Sequence, residues 1–211
     1  MLINILILFY RMENEENIVE AYIRINKQLI ILVSGVSGCG KTSLAKDIER
    51  DFNLKFIDQY DFFKKDYNET YKLSTGEEII NWYTEDAIDW DKMNETIINN
   101  ADKGVIVTGV SFPIEKLNFK TDYHIFVGRP KQECLRKRSE YIAKFSNRYK
   151  YENNNPNFEK IKFNKLEFPF VLQSQKKANI DKFINGENLS SVEVYDIAFD
   201  FLINSIQKSL P

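Results

Sequence analysis

"GVSGCGKTS", residues 35–43, decides how the rest of the chain is read. Gly35, Gly40, Lys41 and Thr42 fit the Walker A phosphate-loop pattern G-x-x-x-x-G-K-[ST] without a gap. Four constrained positions match by chance somewhere in a chain this long about 1% of the time. The flanks strengthen the match. "QLIILVS" (28–34) is a nearly continuous apolar run and predicts a short buried strand. "KTSLAKDIERD" (41–51) predicts a helix with Leu44, Ala45 and Ile48 on one face and charges on the other. Strand, glycine loop and helix form the setting in which the pattern binds phosphate.

The chemistry follows from the residue types. Glycines at 35, 38 and 40 allow a backbone that approaches an anion closely. Successive N–H groups of Ser37, Gly38, Cys39 and Gly40, with those of Lys41, Thr42 and Ser43 at the helix start, surround a β-phosphate. Lys41 reaches the β- and γ-oxygens, and the Thr42 hydroxyl is placed to ligate Mg²⁺. The expected ligands are therefore ATP and Mg²⁺.

The chain has 211 residues, enough for one α/β domain with a full core and a small lid. Its 43% hydrophobic and 28% charged content is that of a soluble globular protein. A net charge of −2 argues against a dominant nucleic-acid surface and leaves room for a local basic patch. Cys39 and Cys134 do not form a disulfide framework, because one lies inside the phosphate loop. Both read as free thiols, which points to the cytoplasm. "MLINILILFYRM" (1–12) is too short to span a bilayer and lacks the basic start and cleavage site of a secretory signal. Residues 1–26 are expected to be an extension or an edge strand, and 27–211 the domain.

Along the chain, strands are expected at 53–58, 104–110 and 122–128, with a short last strand within 178–186. Helices are expected at 84–100 and 131–150, and a last one from a capping box at Ser190–Glu193 with Val194, Ala198, Phe201 and Leu202 on its apolar face. Residues 59–83 read as loop, with a turn at 74–76, the site of a possible hairpin. "YENNNPN" (151–157) breaks a basic-aromatic region that continues to Lys177, and residues 131–177 are the expected lid. Strands alternating with helices indicate a parallel sheet with right-handed crossovers.

A GTPase would carry N-K-x-D at a strand end; "NKLE" (164–167) comes near but lies in the basic-aromatic segment. A motor ATPase would end an apolar strand in acid, whereas "VIVTG" (105–109) carries Thr108. Phosphoryl transfer to a small molecule remains. It needs an acidic residue at the acceptor hydroxyl and a basic lid over the phosphoryl group. Asp58, ending the second strand, and Asp61 are the acidic candidates, at the carboxyl edge of the sheet beside the loop. Arg136, Lys137 and Arg138 distribute cations around one helix, and Arg138 is the one expected to reach inward. His124 reads as an ordinary strand residue.

"GVSGCGKTSLA", "IDQYDFFK", "AIDWDKM" and "ECLRKRSEY" resemble the uridine kinase and nicotinamide riboside kinase group of P-loop nucleoside kinases, in order and spacing, over roughly residues 30–145. The resemblance implies a P-loop NTPase of the NMP-kinase-like kind, a three-layer sandwich with a five-stranded parallel sheet and a basic helical lid. It also implies ATP·Mg²⁺ as donor and a ribonucleoside 5′-hydroxyl as acceptor, with Arg138 facing the phosphates from the lid. Tyr60, Phe62, Tyr83 and Arg136 then make up the expected acceptor side. Three acidic positions of the family are replaced here, by Tyr60, Tyr83 and Thr108. Tyrosine binds a ribose hydroxyl but is a weak base at pH 7. The replacements leave open a changed acceptor, a nucleotide or polynucleotide kinase, or a catalytically weak nucleotide-binding protein with a regulatory role.

Overall fold

The computed structural model describes residues 16–73, 76–144 and 156–211. Its centre is a five-stranded sheet in the order β2-β5-β1-β6-β7, with β1 Ile30–Ser34, β2 Lys55–Asp58, β5 Val105–Gly109, β6 Tyr123–Gly128 and β7 Lys182–Asn185. Each adjacent pair is parallel. β1 lies between β5 and β6, and every residue of β1 and β5 is buried, as strands covered on both faces must be.

Period-two alternation sorts the strand side chains into two layers. Ile31, Val33, Ile106 and Ile125 pack on one face against Leu44, Ala45, Ile48 and Phe52 of α2 (Lys41–Phe52). Val194, Ala198, Leu202 and Ile206 of α7 (Ser191–Ser209) join the same cluster. Ile30, Leu32, Val105 and Val107 face the other way, onto Trp90, Met93 and Ile97 of α3 (Trp90–Ile98). The result is the three-layer α/β/α arrangement that the resemblance implies.

Several elements depart from the sequence reading. Residues 18–26 are not an edge strand but helix α1 (Ile18–Asn26), set by a capping box between Asn17 and Glu20. Val19 and Tyr22 carry it into the core, so the described fold begins before Lys27. Residues 1–12 lie outside the described residues. The expected helix at 84–100 is broken into a 3₁₀ turn (Glu85–Ala87) and α3, because the Asp89 side chain accepts from the Lys92 N–H and restarts the helix. β3 (Thr70–Lys72) and β4 (Glu78–Ile80) form an antiparallel hairpin around the expected turn; Ser74 and Thr75 lie outside the described residues. α4 runs Lys131–Lys144, and the expected break at 151–157 lies mostly outside the described residues. The last helix begins at the expected capping box, with Ile206 extending its buried face and Phe201 at its margin.

After the expected break, α5 (Pro156–Lys162) passes through a π-turn (Phe163–Glu167) into α6 (Phe168–Gln175). Pro169 has no N–H and its ring crowds the carbonyl four residues back, so the ladder shifts by one and the Phe168 N–H bonds the Phe163 carbonyl. The shift is local, and Phe163 and Val171 stay in the main core.

His124 is a strand residue, as read, but a constrained one. Its Nδ1 is 3.0 Å from the Asn179 carbonyl, which can only accept, so Nδ1 carries the proton and Nε2 accepts from the Ser34 hydroxyl at 2.7 Å. Burial pushes the imidazole down to about 4, against smaller upward pulls from the Asn179 carbonyl and Asp181. Between the ordinary value of 6.5 and about 4 the unfolded chain therefore binds a proton that the folded chain rejects, and stability falls as pH falls through that window. Urea unfolding at pH 7 and pH 5 should show a loss of about 2 kcal/mol from this residue. His124→Gln should lack that component; an unchanged pH dependence in the variant would assign it to other groups.

Candidate functional site

The loop between β1 and α2 lies at the carboxyl edge of the central strand, where parallel α/β sheets bind ligands. Its glycines are required by contact as well as by conformation. Gly38 has φ 87°, and a Cβ there would stand 2.1 Å from the Cys134 carbonyl of α4. Gly35 has φ 152°, and its Cβ would meet the Val127 carbonyl at 2.5 Å. The loop thus rests directly on the backbones of α4 and β6. Arg129 fixes it from below: its guanidinium donates to the carbonyls of Cys39 (2.9 Å), Gly186 (2.8 Å) and Leu189 (3.1 Å) and pairs with Glu133.

Gly40 is the N-cap of α2 and provides no side-chain cap, so the N–H groups of the first turn remain directed at the loop. Lys41 and Thr42 are half-buried there and Ser43 is exposed. Cys39 is buried, and burial raises its thiol above the ordinary range, so it contributes backbone rather than a nucleophile.

Above the loop stands a buried charge cluster. Arg138 of α4 turns inward, as expected, with a side chain 13% exposed. It donates to Glu167, to Glu159 at 3.1 Å and to the Tyr83 hydroxyl at 3.1 Å. Its Nε has no hydrogen-bond partner among the described residues. Glu167, fully buried in the π-turn, also accepts the Ser37 N–H of the phosphate loop at 2.6 Å. Burial pushes the Glu167 carboxyl upward, but Arg138, the Ser37 N–H and the charge of Lys41 outweigh it and hold the group below the usual range. Burial raises the Tyr83 hydroxyl far above its ordinary value, so it is not a base at neutral pH.

The residues expected on the acceptor side are only partly brought together. Asp58 ends β2 in register with Thr108 of β5, which in turn pairs with Val33 of β1. It therefore lies two strands from the loop strand, about 10 Å away. Its side chain accepts the Tyr60 N–H at 3.1 Å. Thr108 is buried, and its hydroxyl has no partner among the described residues. Asp61 is exposed in the following 3₁₀ turn, and Tyr60 is 58% exposed against Phe63.

Two expected acceptor contacts are corrected. Phe62 packs into the core against α3, because the 3₁₀ turn aims it under the sheet edge. Arg136 lies on the outer face of α4, paired with Glu140 at 2.6 Å, since two residues along a helix rotate it away from Arg138. The structure also brings in Gln59, Arg129, Glu159 and Glu167, which were not among the expected site residues. Gln59 ties β2 to the end of β5 through Ser111 and Val110. "NKLE" is the π-turn, not a strand end, and its last residue is the one on the loop.

No described helix is long and apolar enough to cross a membrane. Residues 30–110, from β1 and the loop through β5, match the sequence model of the phosphoribulokinase/uridine kinase family. No curated protein matches the chain. Among solved structures, the fold is similar to a sugar kinase from Janibacter sp. HTCC2649, with TM-score 0.52, 15% identity and coverage of 83% of this chain and 94% of that one. It is similar to a shikimate kinase from Acinetobacter baumannii, with TM-score 0.50, 17% identity and coverage of 90% and 99%. A gluconokinase from Sinorhizobium meliloti 1021 also aligns, with TM-score 0.50, 13% identity and coverage of 87% and 94%. The chain has the fold of P-loop kinases, and its matched segment is of the kinase type.

Proposed function

We propose that the protein transfers the terminal phosphoryl group of ATP to a hydroxyl of a small molecule, a nucleoside or a comparable polyol. One observation carries the reading: a loop of main-chain amides with Lys41 at the edge of the central strand, faced by a buried arginine from a helical segment above it. The residues present fit a polyphosphate, since the Ser37 N–H already engages an anionic oxygen at 2.6 Å. They also fit Mg²⁺, for which Thr42 offers one hydroxyl; Mg²⁺ at such sites takes its other ligands largely from phosphate and water. Bound there, the ion supplies neutralisation of phosphate charge.

The chain's own residues divide the remaining work. Loop amides and Lys41 hold the phosphates, and Arg138 is within the same charge cluster to meet the transferring group. Transfer through a loose transition state depends on alignment more than on base strength, so the acceptor side needs an orienting carboxylate. Asp58 suits this role better than Asp61, because it is half-buried at the strand terminus in the row of Thr108 and Val33. The described helices within the expected lid, at 131–144 and 156–175, act as the cover of the loop and exclude water when closed. The nucleoside preference is supported by the family match and by the Tyr60 and Tyr83 segments. The sugar, shikimate and gluconate kinases of like fold widen the acceptor class to small polyols. Both cysteines are free and buried, which suits the reducing cytoplasm.

A second reading, nucleotide binding without turnover, is favoured by the carboxylate-free positions Tyr60, Tyr83 and Thr108 and by the Tyr83 hydroxyl being held by Arg138. ADP release separates the two. With ATP·Mg²⁺ and a panel of ribonucleosides, nicotinamide riboside, sugars, gluconate and shikimate, one class should stimulate release, and Lys41→Ala should cut it by about 100-fold or more. ATP binding with no stimulation by any acceptor would establish the second reading.

Asp58→Asn should lower kcat at least about tenfold, some 1.4 kcal/mol of transition-state stabilisation, with the KM for ATP little changed. Asp61→Asn should cost less than about threefold. The reverse ranking in steady-state kinetics would move the orienting role to Asp61.

A further inference from the structure

Glu167 is unusual among the buried groups. A carboxylate with no exposed surface is bonded to the main chain of a loop built to bind anions; Arg138 pairs with it and the charge of Lys41 acts on it. The Arg138 helix is close as well: a Cβ on Gly38 would reach the Cys134 carbonyl at 2.1 Å and the main-chain nitrogen of Arg138 at 3.1 Å. Loop, arginine and carboxylate therefore form one contiguous site.

The chemistry of that site is the chemistry of a phosphate group. The Ser37 N–H bonds Oε1 of Glu167, the Arg138 guanidinium bonds Oε2, and the Lys41 charge acts on the same carboxylate, the donor set that a bound polyphosphate recruits. The same N–H cannot serve both a carboxylate and a phosphate. The carboxylate is borne by a π-turn that Pro169 imposes, a local distortion of a kind that clusters at functional sites. Regular α-helical phase would turn residue 167 through about 100° and take it off the loop.

We propose that Glu167 is an internal occupant of the phosphate cradle, which the nucleotide must displace, and that its displacement turns Arg138 from Glu167 to the phosphates. Arg138 keeps Glu159 and Tyr83 as it does so, and its unpartnered Nε gives it a donor to spare in a site where an unmet donor is costly. Glu167 thus sets nucleotide affinity and couples binding to rearrangement of the helices that carry it. The inference rests on the nucleotide-binding reading above.

A carboxylate that competes for the cradle lowers the measured affinity by the fraction of molecules in which it is seated. Calorimetry with ATP·Mg²⁺, and with inorganic triphosphate as a probe lacking the nucleoside, should show Glu167→Gln binding at least about tenfold tighter than the unaltered protein. The melting temperature of the same variant without ligand should fall, because Arg138 loses a buried counter-charge. Glu167→Asp keeps the charge on a stem one carbon shorter and should also bind more tightly, by a smaller factor; it serves where the glutamine variant does not fold. A lower melting temperature with unchanged or weaker affinity in both variants would make Glu167 a structural ion-pair partner only and overturn the inference. If the unaltered protein and Glu167→Gln both fail to bind ATP and triphosphate, the nucleotide reading itself falls, and the occupant inference with it.

Discussion

Main-chain amides at the end of a buried parallel strand have no strand to pair with, and the need to give them an acceptor organises this molecule. β1 is covered on both edges and both faces, so the chain leaves it at a point where water, an anion or a side chain must satisfy the loop. Meeting that need requires the loop to lie close against α4 and β6, which only glycine at 35 and 38 allows. It requires Arg129 beneath the loop to hold the Cys39 carbonyl, and the helix dipole of α2 to finish the cradle. In this structure the acceptor for Ser37 is a carboxylate of the protein itself.

Buried charge then links the two halves of the site. Arg138, Glu159 and Glu167 have been taken out of water, and such ions persist only where each finds partners in good geometry. The Tyr83 hydroxyl belongs to the same network, so the segment after β4 is bonded to the arginine that stands over the loop. The β3–β4 hairpin reinforces the link through a small apolar cluster of Leu73 and Ile79 with Phe158 and Leu166. At the far end, Lys177 pairs with Glu85 and Glu115. The helices over the loop are thus anchored both to the β3–β4 hairpin and the Glu85 turn and to the glycine loop.

Residues whose role is set by neighbours in sequence were legible. The loop, its strand and its helix follow from glycine spacing and from two periodicities, and the last helix follows from the Ser190 capping box. Legibility failed where a distant partner decides. α1 reads as an extension or edge strand before the core until Tyr22 is seen against Tyr123, about a hundred residues away in sequence. Arg136 and Arg138 are equally basic in sequence; only packing of α4 on the loop makes one a solvent ion pair and the other a buried site residue. Phe62 was expected at the acceptor but is drawn into the core against α3. Glu159 and Glu167 sit among lysines in a segment without clean periodicity, and no local pattern marks them.

The five parallel strands and the glycine loop that carries Lys41 and Thr42 into a helix were contained in the sequence alone, because buried strands, glycine conformations and helix starts are local consequences of residue type; the order of the strands in the sheet was not. The partner of the loop amides was not. Glu167 reaches Ser37 across 130 positions of chain, through a π-turn produced by Pro169 and a helix surface that exists only once the sheet has formed. Which charge meets which amide is a property of three-dimensional proximity in a low-dielectric interior, and it was decided by tertiary packing.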